Sequence, residues 1–273
     1  MLDKFIIYKG TGGLAHMLRG LNEAVKKAKI SNRYLIIDSR SNPGFGCDFS
    51  DFFYINTLPC SDRFRDIPVH YKFRNLTIRD IKKRSIHSSK KTYKIFQHDI
   101  TDIDPNCDDE LIVFAGTGSN KLVPGLKIQK IIMDKLLNES PINEPYISVH
   151  FRNTDLKNSL TKFISSIKKL MEKTNIKTIY WASDDVNSYN KIVKALNNAK
   201  IIRYSVPEKT ETNLHSEAKD KYKQVYDCLK DIFFILKSDY FIPSKNSGMS
   251  KYIELMIKDD NMFSINSKTI LVS

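Results

Sequence analysis

His150, Arg152, Asp155 and Lys157 fall within eight consecutive positions, at the end of the apolar run Tyr146 to Phe151. An imidazole, a guanidinium, a carboxylate and an ammonium this close together can hold an anion or move a proton. Arg152 suits a phosphate in particular, because its fork of donors matches phosphate oxygens and its charge is never lost. The run from Tyr146, opened by Pro145 and rich in β-branched and aromatic residues, reads as a buried strand of a mostly parallel sheet. Ligands of open α/β sheets bind outside the carboxyl ends of such strands. The structural alternative is a solvated strand end where Arg152 and Asp155 form an incidental ion pair.

Four further places carry chemistry. Gly10-Thr-Gly12-Gly13-Leu-Ala15 sits between a strand and a helix, where glycines let backbone N–H groups and the helix N-terminus approach a phosphate. The same residues satisfy a dinucleotide fingerprint, with Asp38 where a ribose-binding acid would stand, so a nicotinamide-dependent oxidoreductase is a rival reading. A glycine turn needed only for tight strand-to-helix packing is the structural alternative. Ser183-Asp184-Asp185 ends a second strand, and Pro243-Ser244-Lys-Asn-Ser247-Gly248 is a turn offering hydroxyls and amides to a phosphate, although Ser247 also fits a helix N-cap. Asp231 stands within the apolar helix 222–237, and a buried carboxylate there needs a specific partner.

The elements that position these groups alternate strand and helix. A βαβ unit spans residues 4–38: a strand to Lys9, a helix to about Lys29, and a strand Arg33 to Asp38. A strand at 111–115 ends at Gly116 to Ser119, and the spacing of Leu126, Ile128, Ile131, Ile132, Leu136 and Leu137 predicts a helix over 124–137. The polar segment Asn138 to Pro145 predicts a boundary between domains 1–140 and 145–273. Beyond it come strands at 146–151, 178–182, 200–204 and 240–242. Helices near 159–173, 186–197, 222–237 and 249–258 separate or follow them. The aromatic cluster Phe49, Phe52, Phe53 and Tyr54 reads as core or as the lining of a cleft.

The 273 residues carry 44 Lys and Arg against 31 Asp and Glu, a net charge of +13 that points to an anionic partner without choosing among phosphorylated metabolites, nucleic acid and acidic membrane. Residues 61–100 hold eleven Lys or Arg against four Asp, interleaved with aromatics as in some nucleic-acid binders. No nucleic-acid motif accompanies them, and an acceptor-side or solvated surface is the preferred reading. Cys47, Cys60, Cys107 and Cys228 are scattered, with no C-x-x-C, which argues against a disulfide framework or metal site and for a reducing compartment. The N-terminal run Phe5 to Tyr8 is too short for a signal peptide and no stretch approaches eighteen uncharged apolar residues, so neither a signal peptide nor a membrane span is expected and an intracellular location is.

Three segments in order resemble motifs of the fucosyltransferase superfamily that contains the nodulation, core-glycan alpha-1,6 and protein O-fucosyltransferases. Val149-His-Phe-Arg-Asn-Thr-Asp155 is similar to its His-x-Arg-Arg-Thr-Asp motif, and Tyr180-Trp-Ala-Ser-Asp-Asp185 to its second motif. Asp231-Ile-Phe-Phe-Ile-Leu-Lys-Ser-Asp239 with Ser244 to Ser247 is similar to its third. The N-terminal Gly-Thr-Gly-Gly-Leu with Tyr34-Leu-Ile-Ile-Asp38 resembles the first βαβ of the nodulation members. The resemblance implies an α/β, GT-B-like fold of two Rossmann-like domains facing across a cleft. It implies a GDP-fucose donor, a glycan acceptor, no metal or other cofactor and no nucleic-acid partner. Carried over, Arg152 would hold the diphosphate, approached by the Gly12 and Gly13 backbone. His150 and Asp231 would meet the guanine, Asp184 and Asp185 would shape the nucleoside pocket, and Ser247 would bind phosphate.

The chain departs from the family pattern at three places. Asn153 stands at the second Arg, Leu156 at a Lys position, and Leu160 where an acidic residue is expected. Asp155 is then the nearest carboxylate that could serve as base. The expected reaction is an inverting, metal-independent transfer of fucose from GDP-fucose to a glycan hydroxyl, by a bacterial or viral cytoplasmic enzyme lacking the stalk of animal Golgi members. The rivals are the NAD(P)-binding oxidoreductase and a non-catalytic binder of anions or nucleic acid.

Overall fold

A computed structural model describes residues 5–57, 60–61, 93–96, 111–114, 121–139, 141–207, 218–259, 262–265 and 267–272. Most of the basic stretch 61–100, the turn 116–119 and the centre of the segment 205–219 lie outside the described residues. The chain forms two compact units, Met1–Gln129 and Lys130–Ser273.

In the first unit β1 (Phe5–Lys9), α1 (Leu14–Ile30) and β2 (Tyr34–Asp38) make the expected βαβ, with the strands parallel. α1 buries Leu14, Met17, Leu18, Leu21, Val25 and Ala28, the stripe that a 3.6-residue period lays on one face. A short 3-10 turn, Phe49–Asp51, leads into β3 (Phe53–Ile55), followed by β4 (Cys60–Ser61), β5 (Tyr93–Phe96), β6 (Leu111–Phe114) and β7 (Leu126–Ile128). Five of these form an all-parallel sheet in the order β4-β2-β1-β6-β5, so β5 is a regular strand inside a stretch that its flanking charge makes look irregular. Phe49, Phe52 and Phe53 are core, whereas Tyr54 is exposed.

The helix expected over 124–137 begins only at Lys130. Gly125 has φ +72°, a left-handed conformation that breaks the helix path, and a Cβ there would lie 2.2 Å from Thr57 Cγ2. Leu126–Ile128 instead pairs antiparallel with β3. The apolar spacing was compatible with either structure, and long-range pairing decided it.

The second unit opens with α2 (Lys130–Asn138) and then builds a parallel sheet from β8 (Tyr146–Phe151), β9 (Thr178–Ser183), β10 (Lys200–Ile202), β11 (Tyr240–Ile242) and β12 (Ile270–Leu271). The order is β10-β9-β8-β11-β12, with every pair parallel. β12 is an edge strand that the sequence pattern did not reveal. One face of the sheet packs Ile147, Val149, Phe151, Ile179 and Trp181 against α3 (Leu160–Thr174) and α4 (Ser188–Ala195). The other carries α5 (Lys221–Leu236) and α6 (Gly248–Lys258): the Tyr146 hydroxyl donates to Phe234 O at 2.5 Å, and Ser148 meets Ser238 at 2.8 Å. α3, α5 and α6 start at side-chain caps, Ser159, Asp220 and Ser247, each accepting an amide of the first turn.

β8 is central, and the chain runs from it outward through β9 and β10 before returning to β11 on its other side. The crevice between the carboxyl ends of β8 and β11 is therefore the switch point where open α/β sheets bind ligands.

Candidate functional site

The residues that follow β8, β9 and β11 converge at this switch point. The Arg152 amide donates to Ser244 Oγ at 2.8 Å, tying the β8 end to the β11 turn. Its guanidinium is held from the Nε side alone: Nε lies 2.8 Å from Asp155 Oδ1 and 3.1 Å from Asp184 Oδ2. The two terminal amino groups of Arg152 have no partner among the described residues, and the side chain is 19% exposed. A guanidinium fixed at its stem, with its outward fork unpartnered among the described residues, is arranged to receive two oxygens of one anion.

Asp184 and Asp185 organise the turn that presents Arg152. Asp184, which is buried, accepts the Asn153 amide at 2.8 Å and the Thr154 hydroxyl at 2.5 Å. Asp185 accepts Asn153 Nδ2 at 2.9 Å and the Asn187 amide at 2.9 Å. Asn153, where a second Arg was expected, thus braces the turn against the β9 end, and its Oδ1 accepts the Asn158 amide. Asp155 is 44% exposed and lies against Arg152 Nε, so its geometry makes it an orienting partner.

His150 is buried on the α5/α6 face of β8, with Nδ1 2.8 Å from Ser250 Oγ. Burial, helped by the Arg152 charge and opposed by Asp184, pushes its pKa down to about 4, so the ring is neutral near pH 7. Ser250 Oγ also accepts the Ser244 amide at 3.0 Å, so one hydroxyl joins the His150 ring to the turn after β11. Ser244 Oγ donates to His150 O at 2.7 Å while accepting from Arg152, so this hydroxyl is committed to the backbone. Ser247 caps α6 by accepting the Ser250 amide at 3.4 Å. The Gly248 and Met249 amides open a helix of eleven residues at the same strand ends, where the helix dipole favours an anion.

Asp231 finds its partners on β9 and just beyond β10: Tyr180 and Ser205 both donate hydroxyls to Oδ1 at 2.6 Å. Oδ2 has no partner among the described residues. Burial raises the Asp231 carboxyl to about 6, with the two hydroxyl donors pulling the other way. One turn earlier on α5, Cys228 is a free thiol pushed up to about 12 by burial and the nearby Asp231 and Asp227, with Arg152 and Asp184 also within electrostatic reach. Asp231 and the Arg152 cluster are thus parts of one neighbourhood.

Gly12 and Gly13 belong to the first unit, between β1 and α1. Gly12 has φ +64°, Gly13 is the N-cap of α1, and no side chain caps that helix. The turn has a packing reason too, because a Cβ on Gly44 would fall 2.2 Å from Gly12 O. Asp38 does not stand free for a ribose: Lys9 Nζ hydrogen-bonds its Oδ2 with Lys9 fully buried, and the Ser41 amide donates to Oδ1 at 3.2 Å. Both oxygens are consumed inside the protein, which disfavours the oxidoreductase reading.

Sequence reading missed the braces Thr154, Ser205 and Ser250, and it missed Arg203. Thr154 lies inside the segment that resembles the first motif but was given no role, Ser205 and Ser250 carry no motif, and all three act through contacts distant in sequence. Arg203 was hidden by a strand drawn to residue 204; β10 ends at Ile202, which puts Arg203 at a carboxyl strand end like Arg152. Among the described residues no group of three His, Cys, Asp or Glu side chains is arranged to hold a metal ion, and no helix is long and apolar enough to cross a membrane.

No family model matches the chain, and no curated protein matches it in sequence. Its fold is similar to that of solved structures. NodZ alpha-1,6-fucosyltransferase soaked with GDP-fucose superposes with TM-score 0.59 and 16% identity, over 93% of this chain and 92% of that one. Fucosyltransferase NodZ from Bradyrhizobium gives 0.56 and 15% over 93% and 94%, and POFUT1 in complex with GDP gives 0.57 and 10% over 99% of each.

Proposed function

We propose that this chain is a glycosyltransferase that takes fucose from GDP-fucose and passes it, with inversion, to a glycan hydroxyl. Its two units would be Rossmann-like domains in a GT-B arrangement, with the second holding the donor. The observation that carries the reading is the guanidinium of Arg152, anchored at Nε by Asp155 and Asp184 with its terminal fork unpartnered among the described residues. The fold likeness to proteins solved with GDP and GDP-fucose supports the same donor.

In this reading the diphosphate lies over Arg152 and the N-terminus of α6. As the glycosidic C–O bond breaks, negative charge grows on the leaving GDP, and a preorganised guanidinium with helix amides stabilises that charge. Arg152 and the α6 amides would fill this role, and the reaction is proposed to be metal-independent. The anomeric carbon becomes cation-like, and the acceptor hydroxyl attacks from the opposite face and loses its proton. Asp155 orients Arg152 and, 44% exposed beside it, is the candidate to take the acceptor's proton. Asp231 accepts the paired N–H donors of guanine, while Asp184 and Asp185 brace the turn beneath the nucleotide. In the GT-B arrangement the Gly12 and Gly13 amides would add to the diphosphate contacts.

Thermal unfolding of the whole chain with GDP, UDP or NAD at equal concentrations tests the donor class. A ligand at a hundred times its Kd stabilises by about 2.7 kcal/mol. GDP is expected to raise the transition, UDP and NAD to leave it nearly unchanged, and stabilisation by NAD alone would refute the proposal. Transfer to glycan acceptors, read as GDP release from GDP-fucose, then tests the reaction.

A further inference from the structure

We infer that Arg203 reads the O6 and N7 edge of the guanine that Asp231 holds by its N1 and N2 donors. The inference rests on the GDP reading above and deepens it by assigning base discrimination to a residue outside the three resembling segments.

Arg203 stands just beyond β10, at the same end of the sheet as Arg152 and Asp185. β10 is two strands from β8, roughly 10 Å at the spacing of paired strands. That suits an extended nucleoside diphosphate with its phosphates over β8 and its base over β10. The side chain is already oriented: Nε donates to Ser205 O at 2.8 Å, and the guanidinium lies over the Tyr189 ring, 5.2 Å from its centroid. Ser205 in turn donates its hydroxyl to Asp231 Oδ1, so Arg203 and Asp231 are braced by one residue.

What is missing is an acceptor. Nη2 of Arg203 is buried without a hydrogen-bond partner, and Arg203 makes no ion pair among the described residues. An unpaired buried donor on a charged group is costly and calls for an explanation. Asp231 and Asp185 act on Arg203 electrostatically without bonding to it, and burial lowers its pKa against their pull. The site therefore offers an acceptor, Asp231 Oδ2, and a donor, Arg203 Nη2, on two side chains linked through Ser205.

Guanine presents the complementary sequence of groups. N2 and N1 are donors, O6 and N7 are acceptors, and arginine to O6 and N7 is the commonest specific contact made to guanine. Adenine presents an N6 donor toward Arg203 and an N1 acceptor toward Asp231, so both contacts turn unfavourable. A uracil ring carries no N7, and its O2 places an acceptor toward Asp231 where guanine has the N2 donor.

The test is calorimetric binding of GDP and 7-deaza-GDP, which keeps O6, N1–H and the N2 amine but lacks the N7 acceptor. Wild-type protein is expected to bind GDP more tightly than 7-deaza-GDP. Arg203→Met keeps the apolar stem over Tyr189, and it should lose GDP affinity on the order of ten- to a hundred-fold and bind the two nucleotides alike. Equal binding of the two by wild type, or a GDP preference that survives in Arg203→Met, would overturn the inference while leaving the GDP reading intact. Wild-type protein that binds no guanine nucleotide would overturn both. The wild-type comparison stands even if the Met variant fails to fold.

Discussion

Arg152 Nε lies 3.1 Å from Asp184 Oδ2 and 2.8 Å from Asp155 Oδ1, so two carboxylates grip the guanidinium from its stem side, and among the described residues nothing takes its far side. Asp184 is itself held by the Asn153 amide and the Thr154 hydroxyl, and the turn after β8 is rigid before any ligand arrives. This division of labour yields the first prediction.

Arg152→Ala should lower donor turnover on the order of a hundred- to a thousand-fold, corresponding to roughly 2.7–4 kcal/mol, as for a lost donor to a developing oxyanion. Arg152→Lys should recover part of that, because it keeps the charge but not the fork. Circular dichroism should show both variants folded. A folded Ala variant with nearly full turnover would remove the donor site from this strand end.

Asp155→Asn tests positioning against proton transfer. If the carboxylate orients Arg152, GDP affinity and turnover fall together, since the neutral amide grips Nε less strongly. We expect this paired loss. Turnover at saturating donor that falls by 10²–10⁴ with unchanged GDP affinity would instead make Asp155 the base.

Asp231 links nucleotide binding to pH. Its carboxyl is raised to about 6 and must be ionised to accept guanine N–H donors, whereas His150 is pushed down to about 4 and stays neutral from pH 5 to 7. The free protein therefore holds a proton on Asp231 below about pH 6 that guanine binding expels, and GDP affinity should rise with pH through that range. The nucleotide's own phosphate also titrates there, so the readout is the difference between wild type and Asp231→Asn. The variant should bind GDP on the order of ten- to a hundred-fold more weakly and lose the added pH dependence, with UDP binding unchanged. Equal losses for GDP and UDP would assign Asp231 to the helix rather than to the base. Unfolding stability moves the other way: a carboxyl whose folded pKa lies above its unfolded value stabilises below the unfolded value, and this contribution is lost as pH rises toward 6.

Lys9 and Asp38 form a buried pair, so truncating one member strands the other. Lys9→Met should destabilise the first unit by about 3–5 kcal/mol in chemical denaturation, and adding Asp38→Leu should restore much of that loss. NAD binding by wild-type protein that is abolished in a folded Asp38→Asn variant would revive a ribose role for Asp38.

Period and local chemistry carried much of the fold. The βαβ at 5–38, the strand at Tyr146 and the helix holding Asp231 lie close to where alternation and 3.6-residue spacing put them, because burial on both faces of a parallel strand leaves a continuous apolar run. The same reasoning put Arg152, Asp155, Asp184 and Asp185 at carboxyl strand ends, which places them at the switch point once the strand order is known. It could not supply that order. Whether Leu126–Ile128 was strand or helix depended on a partner strand seventy residues earlier and on the left-handed Gly125. That Asp38 is spent on Lys9, that Ser244 is spent on the backbone of β8, and that Arg203 keeps a buried donor unpaired among the described residues are likewise facts about neighbours in space. Residue types set which hydrogen bonds a side chain can make; only the packed sheet decided which of them were already made, and so which groups remained for a ligand.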